Sequence, residues 1–180
     1  MARSTDERSR TACVAPGSLD RAVADARRGD VAAFRLLYQE FQPLLLRYLW
    51  FLAGDRADNV AAQAWQQAGA GLGARRGRYG LFRFDYTDFR GWLASLGRDI
   101  AREDPGPGGP GSGRAPATGQ ETTDAALVLI AELPPQEAEA VLLRSVLGLD
   151  ARRAARVTGQ RPRELRAAAQ RGLSTLAGRL

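Results

Sequence analysis

The chain of 180 residues contains no lysine and no histidine, and its one cysteine is Cys13. All 26 basic residues are therefore arginine, and against 20 acidic residues they give a formal net charge of +6. Without histidine there is no Ser-His-Asp triad or imidazole base, and without lysine there is no P-loop lysine or Schiff base. One cysteine without histidine excludes a structural zinc site. We expect a protein that is not an enzyme and uses no cofactor or metal, although a carboxylate-only enzyme stays open.

The scarcity of cysteine and of long apolar segments indicates the cellular location. A single cysteine offers no disulfide framework, which favours a reducing cytoplasm. Residues 1–18 are polar, with no apolar segment of a signal peptide. The longest apolar run, Leu44 to Ala53, contains Arg47 and is far shorter than the roughly 20 residues that span a bilayer. We expect a cytoplasmic protein with no membrane partner.

Proline and glycine divide the chain. Residues 105–120 hold four prolines and six glycines, a composition typical of a flexible linker. Residues 1–18 are predicted to be a disordered tail. The chain then consists of an N-terminal block, 19–104, and a C-terminal block, 121–180, each predicted to be a small helical domain. The expected class is all-α.

Apolar residues in the N-terminal block recur at helical spacing. The pattern predicts helices over 19–28, about 31–52, 59–72 and from 88 to Pro105, with Asp30, Asp58 and Asp88 at their starts. Pro43 is expected to kink or restart the second of them. Residues 82–86 alternate apolar and polar side chains but have no second strand to pair with, so an extended loop is predicted.

The C-terminal block has the layout of a helix-turn-helix. Helices are predicted over 125–133 and 136–146, then over 151–158 with Asp150 as N-cap and from Pro162 to about 177. Gly159 supplies the turn between the last two helices.

The excess charge sits on this last helix pair. Residues 151–180 carry eight arginines and one acid, Glu164, which leaves the rest of the chain near neutrality. Arginines on one face of a helix-turn-helix suit DNA phosphates and guanine edges, although a solvated arginine-rich helix is the alternative. The predicted DNA-binding residues are Arg152, Arg153, Arg156, Arg161, Arg163, Arg166, Ala167, Gln170 and Arg171.

A second candidate surface interleaves arginine with aromatic residues. Unpaired bases stack on aromatic rings, so this stretch is a candidate for single-stranded DNA contacts. The alternative is that its aromatic side chains belong to the core. The residues concerned are Arg78, Tyr79, Phe82, Arg83 and Tyr86.

These strings together resemble bacterial RNA polymerase sigma factors of the extracytoplasmic-function (ECF) type. The string LGLDARRAARVTGQRPRELRAAAQRGLSTLAGRL is similar to their promoter-reading domain. RRGDVAAFRLLYQEFQPLLLRYL, DNVAAQAWQQ and FRGWLASLGRD are similar, in order, to the three helices of their polymerase-binding domain. The resemblance covers about 19–104 and 121–180.

The resemblance implies a function. The N-terminal domain would dock on the β′ subunit of core RNA polymerase and open the promoter, and the C-terminal domain would read promoter DNA, with an anti-sigma factor as a further partner. Carried over by position, the base-facing residues are Arg166, Ala167, Gln170 and Arg171. The polymerase-facing residues are Asp58, Asn59, Ala62, Gln63 and Gln66.

The chain departs from the family pattern at two places. Neutral Asn59, Ala62 and Gln63 stand where the family usually carries acidic groups, which predicts a weaker polymerase contact. The helix after Trp92 ends in Arg102-Glu103-Asp104 rather than in a basic tract. A helix-turn-helix regulator, or a sigma-like interaction module that does not initiate by itself, is therefore the alternative function.

Overall fold

The structure is a computed structural model that describes residues 16–73, 84–103, 111 and 121–179. These residues form helices and turns and contain no strand, which confirms the all-α prediction. In chain order the helices are α1 (Pro16–Arg27), α2 (Val31–Ala53), α3 (Ala57–Gly73), α4 (Tyr86–Glu103), α5 (Glu121–Ala131), α6 (Pro135–Val141), α7 (Ala151–Thr158) and α8 (Pro162–Ala177). None of the described helices is long and apolar enough to cross a bilayer.

Two predicted N-caps are confirmed by their hydrogen bonds. A carboxylate oxygen of Asp30 accepts from the backbone N–H groups of Ala32 and Ala33 at 2.8 and 3.1 Å. Asp150 does the same for Arg152 and Arg153 at 2.8 and 2.9 Å. Each cap satisfies N–H groups that have no partner inside the helix, and so fixes where α2 and α7 begin.

Other helix starts differ from the prediction. α3 begins at Ala57, after a 3₁₀ turn over Gly54–Arg56, so Asp58 lies inside its first turn instead of capping it. α4 begins at Tyr86 because the Asp85 carboxylate accepts from the N–H of Asp88 at 2.7 Å, which makes Asp85 the capping residue. α5 begins at Glu121, earlier than residue 125.

The restart of the helix expected at Pro43 is wrong, whereas the alternative kink stays a prediction. α2 runs without a break from Val31 to Ala53. Proline lacks one N–H, but the apolar side chains on both sides of it, including Phe41 and Leu45, are buried in the core. Their burial on one face holds the helix together across the lost hydrogen bond.

One continuous apolar core runs through both blocks. α2 is in contact with α1, α3 and α4 of its own block and with α5 of the C-terminal block. At the junction, the hydroxyl of Tyr48 in α2 donates to Glu139 of α6 at 2.8 Å, and Nε of Arg98 in α4 donates to the same carboxylate oxygen at 2.6 Å. The boundaries of two separate domains stay a prediction, since the blocks share this core.

A residue of the predicted linker also joins the core. The N–H of Gly111 donates to the carbonyl of Phe51, at the end of α2, at 2.8 Å. A Cβ at Gly111 would lie 2.7 Å from the Cβ of Ala131 in α5, and its φ is +70°. Both the space and the backbone angle favour glycine at this position.

Candidate nucleic-acid interface

The helix-turn-helix forms as predicted. Gly159 follows α7 in the left-handed conformation with φ of 72°, and its N–H donates to the carbonyl of Ala155. Pro162 is the first residue of α8, where a missing N–H costs nothing. Leu165 is fully buried and anchors α8 against the core, so the opposite face of α8 is directed to solvent.

That outer face is cationic. Arg161, Arg163 and Arg166 are exposed, Gln170 is exposed one turn further on, and Ala167 between them is half-buried. Among the described residues, neither Arg163 nor Arg166 has a hydrogen bond or ion pair. Arg161 and Arg163 flank the start of α8 and lie beside the positive end of its helix dipole, where a cation is unfavourable until an anion binds.

Arg171 behaves differently from the other predicted DNA contacts on α8. Its Nε donates to Glu137 of α6 at 2.9 Å, and the Glu137 side chain is only 14% exposed. The structure thus gives Arg171 an intramolecular partner that holds α8 against α6.

The arginines of α7 divide into two groups. Arg152 is exposed and has no side-chain partner among the residues described. Arg153 instead uses all three guanidinium nitrogens: Nε binds Asp88 at 2.8 Å, Nη2 binds Asp85 at 2.8 Å and Nη1 binds Asp150 at 2.6 Å. Arg156 donates to the same Asp88 oxygen at 3.1 Å.

This arginine–carboxylate network shifts the pKa values of Asp88 and Arg153. Partial burial would by itself raise the pKa of Asp88, but the hydrogen bond and charge of Arg153, together with Arg156, hold that pKa below its usual value. The hydrogen bond to Asp88 is the largest cause of a raised pKa of Arg153. Asp88 and Arg153 are therefore both charged at neutral pH.

Most of the predicted single-strand surface lies outside the described residues, namely Arg78, Tyr79, Phe82 and Arg83. Tyr86 is described and half-buried. Its backbone N–H donates to Asp20 at 2.9 Å, and its ring lies 5.7 Å from the guanidinium of Arg90. These contacts give Tyr86 a packing role in the fold.

The predicted polymerase-facing residues share one face of α3. All five are exposed: Asp58, Asn59, Ala62, Gln63 and Gln66. The opposite face of α3 is fully buried at Val60, Ala61, Ala64 and Ala68. The exposed face is polar and carries a single charge among those five side chains.

Comparison with known proteins identifies the C-terminal block. Residues 123–176 match the family described as Sigma-70, region 4. The C-terminal block is therefore similar to sigma-70 region 4, and the matched segment is called region 4 below. Region 4 thus comprises the helix-turn-helix together with α5 and α6, which support it.

The whole chain has relatives as well. It is 26% identical over 176 residues to the ECF RNA polymerase sigma factor BldN of Streptomyces coelicolor, covering 86% of this chain and 63% of BldN. The chain thus spans less than two thirds of that relative. The fold matches CnrH in its complex with the cytosolic domain of CnrY, with a TM-score of 0.61 and 19% identity over 89% of this chain and 96% of that one. A chain of the RsbN–BldN complex is 24% identical, with a TM-score of 0.36 over 88% and 99% of the two chains. The resemblance to ECF sigma factors is confirmed.

Sequence reasoning missed the acidic partners of region 4. Asp85 and Asp88 precede Arg153 by 68 and 65 residues, and no local pattern links residues so far apart. The pairing of Arg153 with Asp150 could have been found, since residues three apart on a helix are neighbours. Glu139, which joins the two blocks, carried no signal because it looks like any charged helix residue.

Proposed function

We propose that the protein is a sigma factor of the ECF type, without catalytic residues, that binds core RNA polymerase and directs it to a promoter. The observation that carries the proposal is the exposed cationic face of region 4. Three arginines, Arg161, Arg163 and Arg166, line the start of α8, and the only acid in that helix is Glu164. Such a face is built for an anionic duplex.

Some side chains on and beside the outer face of α8 suit base edges, and others suit phosphates. Arg166 can form two hydrogen bonds with a guanine edge, and Gln170 with an adenine edge. Arg152 and Arg161 flank this face and suit phosphates, which are the same for every sequence. The buried face of α8, anchored at Leu165, holds the reading side chains on a rigid helix.

The N-terminal block would supply the polymerase contact. Its α3 is fixed by four fully buried residues, so the exposed face with Asn59, Gln63 and Gln66 is held rigidly outward. We infer that this face docks on the β′ subunit, and that the same block opens the downstream promoter element. An anti-sigma factor is a further partner that we propose, because the fold neighbour CnrH was solved with the cytosolic domain of CnrY bound.

One observation favours a second candidate function. Of the five α3 positions, only Asp58 is charged, so the surface has little with which to attract a basic docking site. A helix-turn-helix regulator that binds duplex DNA without polymerase would need no such attraction. A sigma-like interaction module that has lost DNA binding is the remaining alternative function.

Size-exclusion chromatography with core RNA polymerase tests the polymerase contact. We expect the wild type to co-elute, Gln63→Arg to lose co-elution, and Gln39→Arg, an exposed glutamine on α2, to keep it. If Gln63→Arg co-elutes as well, the α3 face is not the docking surface. If no form co-elutes but duplex DNA is bound, the regulator function replaces the proposal.

Two arginine variants test promoter reading. Arg166→Ala should remove one base preference, at a cost of about 1–3 kcal/mol for the preferred base, whereas Arg152→Ala should weaken binding to all sequences alike. Affinity selection from a random duplex pool, followed by titration of the selected sites, measures both effects. Equal losses on all sequences for both variants would contradict the assignment of Arg166 as a reader.

A further inference from the structure

Two arginines of α7 are held by the N-terminal block. Arg153 and Arg156 belong to region 4, yet Arg153 donates to Asp85 and Asp88 at the start of α4, and Arg156 donates to Asp88. Asp88 is central, because one of its oxygens accepts from both guanidinium groups, at 2.8 and 3.1 Å.

Helix capping does not account for this arrangement. Asp85 uses one carboxylate oxygen to cap α4, through the N–H of Asp88, and the other oxygen to bind Arg153. Asp88 makes no capping bond of its own among the described contacts, and its oxygen is directed at the arginines. A carboxylate and a phosphate both present paired anionic oxygens to which a guanidinium can donate two hydrogen bonds.

Arg152 supplies the comparison within the same helix. It is exposed and unpaired among the described residues, whereas its neighbour Arg153 is only 25% exposed and has three carboxylate partners. Of the three arginines predicted to contact phosphates from α7, one is therefore available and two are occupied.

We propose that Asp85 and Asp88 act as an internal substitute for DNA phosphate, and that duplex DNA competes with them for Arg153 and Arg156. This inference rests on the proposed DNA binding by region 4 and adds a restraint on it. The protein would bind duplex DNA more weakly than it would if Arg153 and Arg156 were always released, since the apparent affinity falls with the fraction of molecules in which these arginines are released.

The network is placed where such an exchange is feasible. Arg156 is 66% and Asp85 37% exposed, so solvent and salt reach the outer contacts of the network and weaken them, while Arg153 and Asp88 at its centre are 25% and 18% exposed. The ion pair of Arg98 with Glu139, which also joins the blocks, is 12% and 11% exposed and is shielded from both solvent and salt. The α7 arginines can therefore change partners while the buried link persists.

A charge-matched pair of variants tests the competition. Asp88→Asn removes the negative charge of the shared carboxylate, and Glu103→Gln removes the same charge from the exposed far end of α4, where Glu103 has no ion pair among the described residues. With a fluorescent duplex of mixed sequence, we expect Asp88→Asn to bind about tenfold more tightly, a size typical of coupling between sites. Glu103→Gln should change affinity by less than about twofold. Asp88→Ser serves as a second variant, and circular dichroism checks that each variant is folded.

A double-mutant cycle adds a readout that general charge effects do not move. Arg153→Ala should weaken duplex binding by less than about twofold in the wild type, because the side chain is already occupied, but by about fivefold or more in the Asp88→Asn background. Additive effects would overturn the proposal, as would equal gains for Asp88→Asn and Glu103→Gln.

The same measurements distinguish a failure of the proposed competition from a failure of the proposed DNA binding. If wild type and Asp88→Asn bind duplex equally well, region 4 still binds DNA and only the competition is refuted. If neither binds any duplex, the proposed function and the competition are refuted together. In the second case a protected Nε–H resonance of Arg153, assigned by its loss in Arg153→Gln, would show that the ion network itself exists.

Discussion

Replacing Glu139 with alanine tests how firmly the two blocks are joined. The Glu139 carboxylate accepts from Tyr48 at 2.8 Å and from Arg98 at 2.6 and 3.3 Å. Complete burial, followed by the charge of Glu139, raises the pKa of Tyr48 well above its usual value. The truncation would leave a largely buried guanidinium without its partner and a buried hydroxyl without an acceptor.

The magnitude follows from burial. The Arg98 and Glu139 side chains are 12% and 11% exposed, and breaking a buried ion pair by removing one partner costs about 3–5 kcal/mol. For a chain of this size, that loss lowers Tm by roughly 6–20 °C. Alanine is the best helix former, so α6 itself is not weakened by the change. Tyr48→Phe, which keeps the ion pair, should cost only about 1 kcal/mol.

Urea and thermal denaturation followed by circular dichroism measure these losses. Glu132→Ala is the matched control, since Glu132 pairs with Arg179 at 2.9 Å but both side chains are exposed, at 58% and 42%. An exposed pair contributes about 1 kcal/mol or less. If Glu139→Ala is no more destabilising than Glu132→Ala, burial does not strengthen the junction and the reasoning is refuted.

Three more predictions concern local features. Asp30→Ala should lower the free energy of unfolding by about 1 kcal/mol through loss of the α2 cap, while Asp30→Ser should retain most of it, as measured by urea titration. Gly111→Ala should lower Tm, because its Cβ would meet Ala131 and an L-residue at positive φ costs about 1–2 kcal/mol; an unchanged Tm would contradict docking of Gly111 on the core. The pKa values of Asp88 and Asp150 are lowered in the folded protein, so their stabilisation is present above the unfolded value of about 3.9 and is lost as pH falls through the folded pKa values. In acid titrations of stability, Asp88→Asn should show a smaller loss than wild type below about pH 4.

Local sequence signals predicted most of the helices because their causes are local. The caps at Asp30 and Asp150, the turn at Gly159 and the start of α8 at Pro162 each depend on residues within three or four positions. The errors are of the same kind: Asp58 and Asp88 are as plausible as caps as Asp85, and only the backbone conformation decides which of them caps a helix. The helix does not restart at Pro43, because burial on both sides of it outweighs one missing hydrogen bond.

At the candidate site, the sequence predicts which side chains face outward but not which of them are paired. Helical periodicity places Arg163, Arg166 and Gln170 on the outer face of α8, opposite Leu165, and the structure agrees. The same periodicity cannot tell a free arginine from an occupied one. Arg152 and Arg153 are neighbours in sequence, yet one is unpaired within the described residues and the other binds three carboxylates.

The all-helical class, the helix-turn-helix and the concentration of positive charge on it could be predicted from the amino-acid sequence, since spacing, capping and composition act over a few residues. Which of those arginines remain available for a ligand depends on tertiary packing. Asp85, Asp88 and Glu139 meet their arginines across gaps of 41 to 68 residues, and such contacts depend on how the two blocks pack. Packing is a property of the whole core, and no short stretch of sequence encodes it.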